Sequence, residues 1–241
     1  MLKRLSCLSL IFFCANTISF ASANGFYIGV SGIKDNAEYD FKRVETAPSG
    51  PFLDQFRIDW SGEGFAGEVF AGYHYRFIER FDLGLEAFYD RSSNDGDIGF
   101  LQSNSLYTRE LSGKYKQRWQ YGLALKPGYY ITDAVLLYGR LGWIKDNIQL
   151  SGHIIQTGSL GFFAGSFASD QDKEGLQLGI GTQIQIINQL HLRLEWDYNS
   201  LNNFSNSSQV KSSTGLQFVT YRTAFKPKLE QFKLGLSWEF V

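Results

Sequence analysis

The residues able to do chemistry in this 241-residue chain are few and oddly arranged. His74, His153 and His191 are the only histidines. His74 and His191 fall on the polar side of two separate alternating segments and His153 falls in a connection, so a hydrolytic or metal site is conceivable but no compact motif frames one. The segment Asn94-Asp95-Gly96-Asp97 carries two carboxylates without the further spaced oxygen ligands of a dedicated calcium loop, and it reads as a solvated turn. More numerous are charges in the middle of otherwise apolar segments: Glu68, Asp82, Glu86, Glu195, Asp197 and Glu239 against Arg76, Arg118, Lys126, Arg140, Arg193 and Lys233. Charges of both signs at such positions suit an enclosed network of ion pairs, because a lone charge in a packed interior is costly. The alternative chemistry for the same residues is a narrow, gated ion path.

The segments that carry these charges alternate with period two. The last of them, Gln231 to Val241, sets Phe232, Leu234, Leu236, Trp238 and Phe240 against Lys233, Gly235, Ser237 and Glu239, which is the signature of a strand with one apolar and one polar face. Seven more follow the same rule: from Phe26, from about Gly64 to Phe77, from Asp82 to Asp90, from Lys114 to Tyr129, from Leu137 to Trp143, from Leu176 to Ile186 and from Leu190 to Asn199. Lys114, Lys116 and Arg118 are placed on the polar face of the fourth by strict alternation, and Pro127 within it predicts a bulge or a register end. Three connections are short (Ile78–Arg80, Thr132–Ala134, Asn188–Gln189) and four are long (Lys34–Gly62, Arg91–Gly113, Gln149–Lys173, Ser200–Leu229).

Alternation alone does not say which face points inward. Glycine crowds the polar face (Gly29, Gly72, Gly84, Gly122, Gly142, Gly179, Gly181, Gly235), as the cramped interior of a small barrel requires. The connections alternate strictly between short and long, the pattern of bacterial outer-membrane barrels. Aromatics sort into two belts: Phe26, Tyr73, Tyr75, Tyr129, Trp238 and Phe240 near the short turns, and Tyr89, Trp119, Tyr121, Trp143, Trp196 and Tyr198 near the long loops. Two belts are what two membrane interfaces ask for. Turning the seventh strand over would put Arg193 into lipid at a cost of about 2–4 kcal/mol near the midplane. The expected fold is therefore all-β: an eight-stranded, antiparallel, up-and-down transmembrane β-barrel in the bacterial outer membrane, with both termini on the short-turn side.

The rest of the composition agrees. Mean hydropathy is −0.19, and no run reaches the roughly 18–20 apolar residues of a spanning helix. Lys3 and Arg4 precede the apolar run Leu8–Cys14, and Ala21-Ser22-Ala23 supplies an A-x-A cleavage site, so residues 1–23 read as a signal peptide. Both cysteines, Cys7 and Cys14, lie inside it, leaving the mature chain, residues 24–241, without thiol, disulfide or Cys-based metal site. Without Lys3 and Arg4 the chain carries 21 basic against 24 acidic residues, a net charge of −3, which gives nucleic-acid binding no support. No cofactor is implied.

With G-F-Y-I-G-V at 25–30, F-A-G-Y-H-Y at 70–75, L-R-L-E-W-D-Y at 192–198 and the close W-E-F at 238–240, the chain resembles the small outer-membrane β-barrel families: the opacity adhesins, the OmpX and Ail proteins and the OmpA transmembrane domain. The resemblance spans Gly25 to Val241. It implies a non-enzymatic, monomeric surface protein whose loops meet a host or environmental ligand, with outer-membrane lipid around it and a last strand read by the barrel-assembly machinery. Such chains end on an aromatic residue; here Val241 follows Phe240. Structural or weakly conducting barrels belong to the same families. Small barrels that modify lipid A also exist, one class with a His-x-Ser pair, but this chain reads His191-Leu192-Arg193 and His153-Ile154-Ile155. The candidate ligand contacts are Phe162, Phe163 and Phe167 in the third loop, which also carries Leu160, and Lys211 and Arg222 in the fourth; the competing reading of the third loop is that Ile154 to Phe167 extends the hairpin above the membrane, or that its aromatics dip into the interface. The candidate lumen network is Glu68, Glu86, Arg118, Arg140, Arg193, Glu195 and Glu239.

Overall fold

The computed structural model describes residues 24–46, 52–77, 80–103, 107–158, 161–202, 204–211 and 218–240. The expected signal peptide, residues 1–23, and Val241 lie outside the described residues. Ten strands are present: β1 (Gly25–Thr46), β2 (Phe52–Phe77), β3 (Phe81–Ser92), β4 (Asp95–Ser103), β5 (Tyr107–Thr132), β6 (Val135–Gly158), β7 (Gly161–Ile187), β8 (Leu190–Leu201), β9 (Phe204–Lys211) and β10 (Phe218–Phe240). Eight form a closed antiparallel ring in the order β1-β2-β3-β5-β6-β7-β8-β10, sealed by the β1–β10 pairing. Strands β4 and β9 stand outside that ring, β4 paired to β5 and β9 to β10.

Closure follows from the first and last segments. Phe26 lies opposite Phe240, Ile28 opposite Trp238 and Val30 opposite Leu236, so no edge within the band is left with unpaired amides, the condition that lipid imposes. Outward side chains are apolar and open to the surroundings: Leu85 is 58% exposed, Leu123 53% and Ile180 62%. Among these outward residues Phe26 meets Tyr73 at 4.8 Å between ring centroids and Phe81 meets Tyr129 at 5.2 Å. At the other rim Trp119 stacks on Tyr121 at 5.5 Å, and Tyr121 meets Trp143 at 6.2 Å. The short turns hold Asp133–Ala134 and Asn188–Gln189. Asn188 adopts φ 37°, a left-handed conformation that asparagine tolerates, and its carbonyl oxygen accepts from Gln185 Nε2.

Strand lengths divide the ring by height. β3 and β8 have 12 residues each, close to the roughly 9–11 that cross a membrane. β2, β5, β6 and β7 have 26, 26, 24 and 27. Each of these longer strands therefore runs on for roughly a dozen residues, about 40 Å of chain at ~3.4 Å per residue. The expected long loops are thus extended hairpins. The Asn94–Asp97 segment, expected to be a turn, opens β4: Asp95 and Asp97 face outward and Asn94 is buried, so its oxygens point to opposite sides.

Two further expectations are corrected. Pro127 brings no bulge: the β5–β6 register is the same on either side of it, Leu125 opposite Leu141 and Gly128 opposite Tyr138, with the ladder lapsing for two residues. The bulge comes earlier, between Gln117 and Trp119. It adds one residue to β5 and reverses the alternation, turning Lys114, Lys116 and Arg118 outward and Tyr115 and Gln117 inward. Tyr115 is fully buried against Ile144 and Ile148, a gain of about 1.5–3 kcal/mol for a large side chain. Three cations are thereby spared burial.

Candidate functional site

The inward face of each strand delivers its charge to the barrel lumen, and the ring brings them together around Glu86. Its carboxylate accepts from Arg140 at 2.6 Å, from both terminal nitrogens of Arg193 at 2.7 and 2.9 Å, from Lys126 at 3.1 Å and from the Tyr27 hydroxyl at 2.9 Å. Glu195 accepts from Arg193 at 2.5 Å and from Arg140 at 3.3 Å. Lys233 binds Glu68 and lies 3.2 Å from Asp197. Aromatic plates close the stack: Arg193 lies 4.2 Å from the Phe70 centroid, Arg140 4.5 Å from Phe88 and Lys126 4.1 Å from Tyr138. A glycine opposite each plate makes the room. A Cβ on Gly29 would lie 2.2 Å from Phe70, and one on Gly181 2.6 Å from Glu195 Cγ and from the Tyr138 ring.

Around the short-turn mouth, His74 bridges two carboxylates, 2.9 Å from Asp82 through Nδ1 and 2.9 Å from Glu239 through Nε2. His191 Nε2 lies 3.6 Å from the same Glu239. These contacts tie β2 to β3, β8 and β10. His153 is exposed on β6, apart from the other two.

Of the residues expected in the lumen network, Glu68, Glu86, Arg140, Arg193, Glu195 and Glu239 are buried inside the ring. Arg118 is not: its side chain is 52% exposed and faces Asp170 at 3.9 Å outside the barrel, the consequence of the bulge beside it. Strict alternation missed Asp35 and Asp146, both 0% exposed, because Asp35 lies in a stretch that reads as loop and Asp146 lies past Trp143, the last residue assigned to the fifth segment. The signal was present, since Ile33, Asp35 and Ala37 alternate with outward residues, as do Ile144, Asp146 and Ile148. Of the candidate ligand contacts, Phe162 is 49% exposed beside the tip of the β6–β7 hairpin. Phe163 and Phe167 are on β7, Lys211 on β9 and Arg222 on β10, and their side chains lie outside the described residues.

Above the plug the extended hairpins have a small core of their own. Tyr115 and Ile148 pack with Phe100 and Leu150, and Leu111 packs with Ile154. Arg109 donates to Gln156 Oε1 at 3.0 and 2.7 Å. On the outer surface, Gln149 and Asn147 donate to Asp170 at 2.6 and 2.8 Å, and these bonds hold its carboxyl below the usual range.

Residues 5–240 match the outer membrane protein β-barrel domain family. The chain belongs to that family. Its place is accordingly the bacterial outer membrane. A 31 kDa outer-membrane immunogenic protein of Brucella melitensis is 28% identical over 185 residues, 76% of this chain and 69% of the relative, and its Brucella suis counterpart matches equally. Among solved structures, OprG of Pseudomonas aeruginosa is 15% identical, with 92% of this chain and 99% of that one covered and a TM-score of 0.45. Ail of Yersinia pestis, solved with the heparin analogue sucrose octasulfate, is 18% identical, with 88% and 99% covered and a TM-score of 0.34.

Proposed function

We propose that this barrel is a non-enzymatic, monomeric surface protein whose extracellular hairpins meet a ligand of the host or the surroundings. One observation carries the reading: β5, β6 and β7 continue far past the membrane band as paired strands with a core of their own. A barrel that only had to fill the membrane would gain nothing from ordering so much chain outside it, since each ordered residue costs about 1–2 kcal/mol of backbone entropy. The saturated plug around Glu86 argues in the same direction and weighs against the alternative of a conducting barrel. The immunogenicity named for the Brucella relatives fits a chain displayed at the cell surface.

The test is attachment of cells carrying the intact barrel to immobilised matrix proteins and host cells. It is run beside a form in which the β5–β6 and β6–β7 hairpins are cut back to the membrane rim, at equal surface level. Attachment that disappears with the hairpins supports recognition and directs substitution to Phe162. Equal attachment by both forms, or none by either, removes the reading.

A further inference from the structure

The outer wall of the barrel carries a trough. In the strand register Trp119 of β5 lies opposite Arg91 of β3, Arg91 opposite Gly67 of β2, Gly67 opposite Gly32 of β1, Gly32 opposite Leu234 of β10, and Leu234 opposite Leu194 of β8. All six face outward. Arg91 is the eleventh residue of β3 counted from its short-turn end, and Leu194 is the fifth of β8 counted from its own, so the row descends from the hairpin rim into the membrane band. A Cβ on Gly32 or Gly67 would meet nothing within 4 Å. The neighbouring rows are bulky, with Val30, Val69 and Tyr89 on the short-turn side and Phe232 and Phe65 on the hairpin side. A groove of about 910 Å3 results, with Gly32, Phe65, Leu194, Phe232 and Leu234 in its lining. A chain laid in it gains dispersion contact on three sides, which a flat wall does not offer.

The rim end of the trough is cationic. The bulge between Gln117 and Trp119 sets Arg118 and Trp119 side by side on the outer face, with Lys116 next above them, and Arg91 stands directly across from Trp119. Three cations on two adjacent strands thus surround one indole in the aromatic belt, the depth at which headgroups meet acyl chains. Their neutralisation within the protein is incomplete. Arg91 is exposed and pairs with no acid among the described residues. Arg118 reaches Asp170 only at 3.9 Å, Asp95 lies opposite Lys116 in the register of β4, and across the trough Lys34 stands 3.5 Å from Glu63. Basic residues at a membrane surface attract anionic headgroups, and a guanidinium takes a phosphate through two parallel hydrogen bonds.

We propose that this trough seats one lipid of the leaflet at the hairpin rim, a phosphorylated glycolipid of the lipid A type, with a phosphate on Arg91 and Arg118 and an acyl chain laid over Gly67 and Gly32. The choice of glycolipid rests on the hairpins lying outside, as proposed above, because the outer leaflet of that membrane is built of phosphorylated glycolipid. It does not depend on what the hairpins bind.

The experiment uses the refolded mature barrel in a zwitterionic detergent free of lipopolysaccharide. Bisphosphorylated lipid A, lipid A stripped of its phosphates, and phosphatidylglycerol are titrated in turn, and bound lipids are counted by native mass spectrometry. The expected result is a single lipid A retained per barrel, with the dephosphorylated form held about tenfold more weakly. Arg91→Gln/Arg118→Gln should weaken lipid A by a similar factor, and Gly67→Leu, which fills the trough, should do so with an unchanged urea midpoint in lipid-free detergent. Ala87→Leu, outward on β3 four residues from Arg91, should bind as the wild type does. Lipid A adducts of every number with no preferred one-lipid species, or trough variants that bind as the wild type does, overturn the proposal and leave ordinary boundary lipid. Phosphatidylglycerol held as tightly as lipid A, or more tightly, overturns the glycolipid assignment, a failure that shows here and not in the attachment of cells. Should a variant not refold, the wild type alone decides, because equal retention of lipid A with and without phosphate also overturns the proposal.

Discussion

The two halves of the lumen are built from the same alternation yet finished differently. On the short-turn side every formal charge near Glu86 meets an opposite one, and the guanidinium groups of Arg193 and Arg140 lie over the rings of Phe70 and Phe88. On the hairpin side neither oxygen of Asp90 accepts a hydrogen bond, and the Nε2 of Gln120, opposite it in the register, is buried without a partner as well. The first half neutralises its charges within the protein; the second leaves carboxylate oxygens without a hydrogen-bond partner.

That contrast is most easily broken at Glu86. Replacing it with glutamine removes the shared counter-charge of Arg140, Arg193 and Lys126 at once. Leaving buried cations uncompensated costs about 3–5 kcal/mol, so the urea midpoint of the refolded barrel, followed by tryptophan fluorescence, should fall steeply. Asp90→Asn, which removes a carboxylate standing opposite Glu68, should not lower it at all. Equal losses at the two positions would mean that both halves are saturated in the same way.

Packing supplies a smaller effect. Gly181→Val would drive a side chain into Glu195 and Tyr138, an overpacking cost of about 1–3 kcal/mol. Gly67 on the outer face has open space around its missing Cβ, and Gly67→Ala should be neutral in the same unfolding assay. If Gly181→Val proves as harmless as Gly67→Ala, the plug is looser than its distances indicate.

The membrane band was legible in the sequence because lipid punishes any error of phase: one slip would carry Arg193, Glu195 and Asp197 outward together. Hence Leu83, Leu85 and Leu123 could be assigned outward and Glu86, Arg140 and Arg193 inward from alternation, once glycine crowding, connection lengths and the aromatic belts had set the apolar face toward lipid. Beyond the band that penalty vanishes. Polar residues are tolerated on both faces there, so Asp35 looked like loop and Asp146 was left out of the fifth segment, although both are buried in strands. The bulge at Arg118 has no one-dimensional signature, since K-Y-K-Q-R-W-Q alternates acceptably in either phase. Only the packing of Tyr115 against Ile144 and Ile148 decides between them. Partnership also escaped the sequence: nothing in the one-dimensional pattern says that Tyr27 reaches Glu86 or that His74 reaches Asp82 and Glu239.

The outward turn of Arg118 sets the smallest prediction. Its pair with Asp170 is 3.9 Å long and about half exposed on both sides, the kind of contact that contributes ~0–1 kcal/mol and weakens with salt. Arg118→Ala should therefore leave the urea midpoint almost unmoved, whereas Arg140→Ala, which strips a cation from Glu86 and Glu195 in the lumen, should cost about 3–5 kcal/mol of stability and lower the midpoint steeply. Asp170 keeps its bonds from Gln149 and Asn147 in either variant. Because those bonds hold its folded pKa below the ordinary carboxylate value, what they contribute is fully present above about pH 4 and is lost as pH falls through the folded value. The protection of the amides along residues 147–149, taken relative to the intrinsic exchange rate at each pH, should accordingly fall on acidification below that point, while the plug residues keep theirs. An Arg118→Ala loss comparable to that of Arg140→Ala would put Arg118 back among the lumen charges and require β5 to run without its bulge.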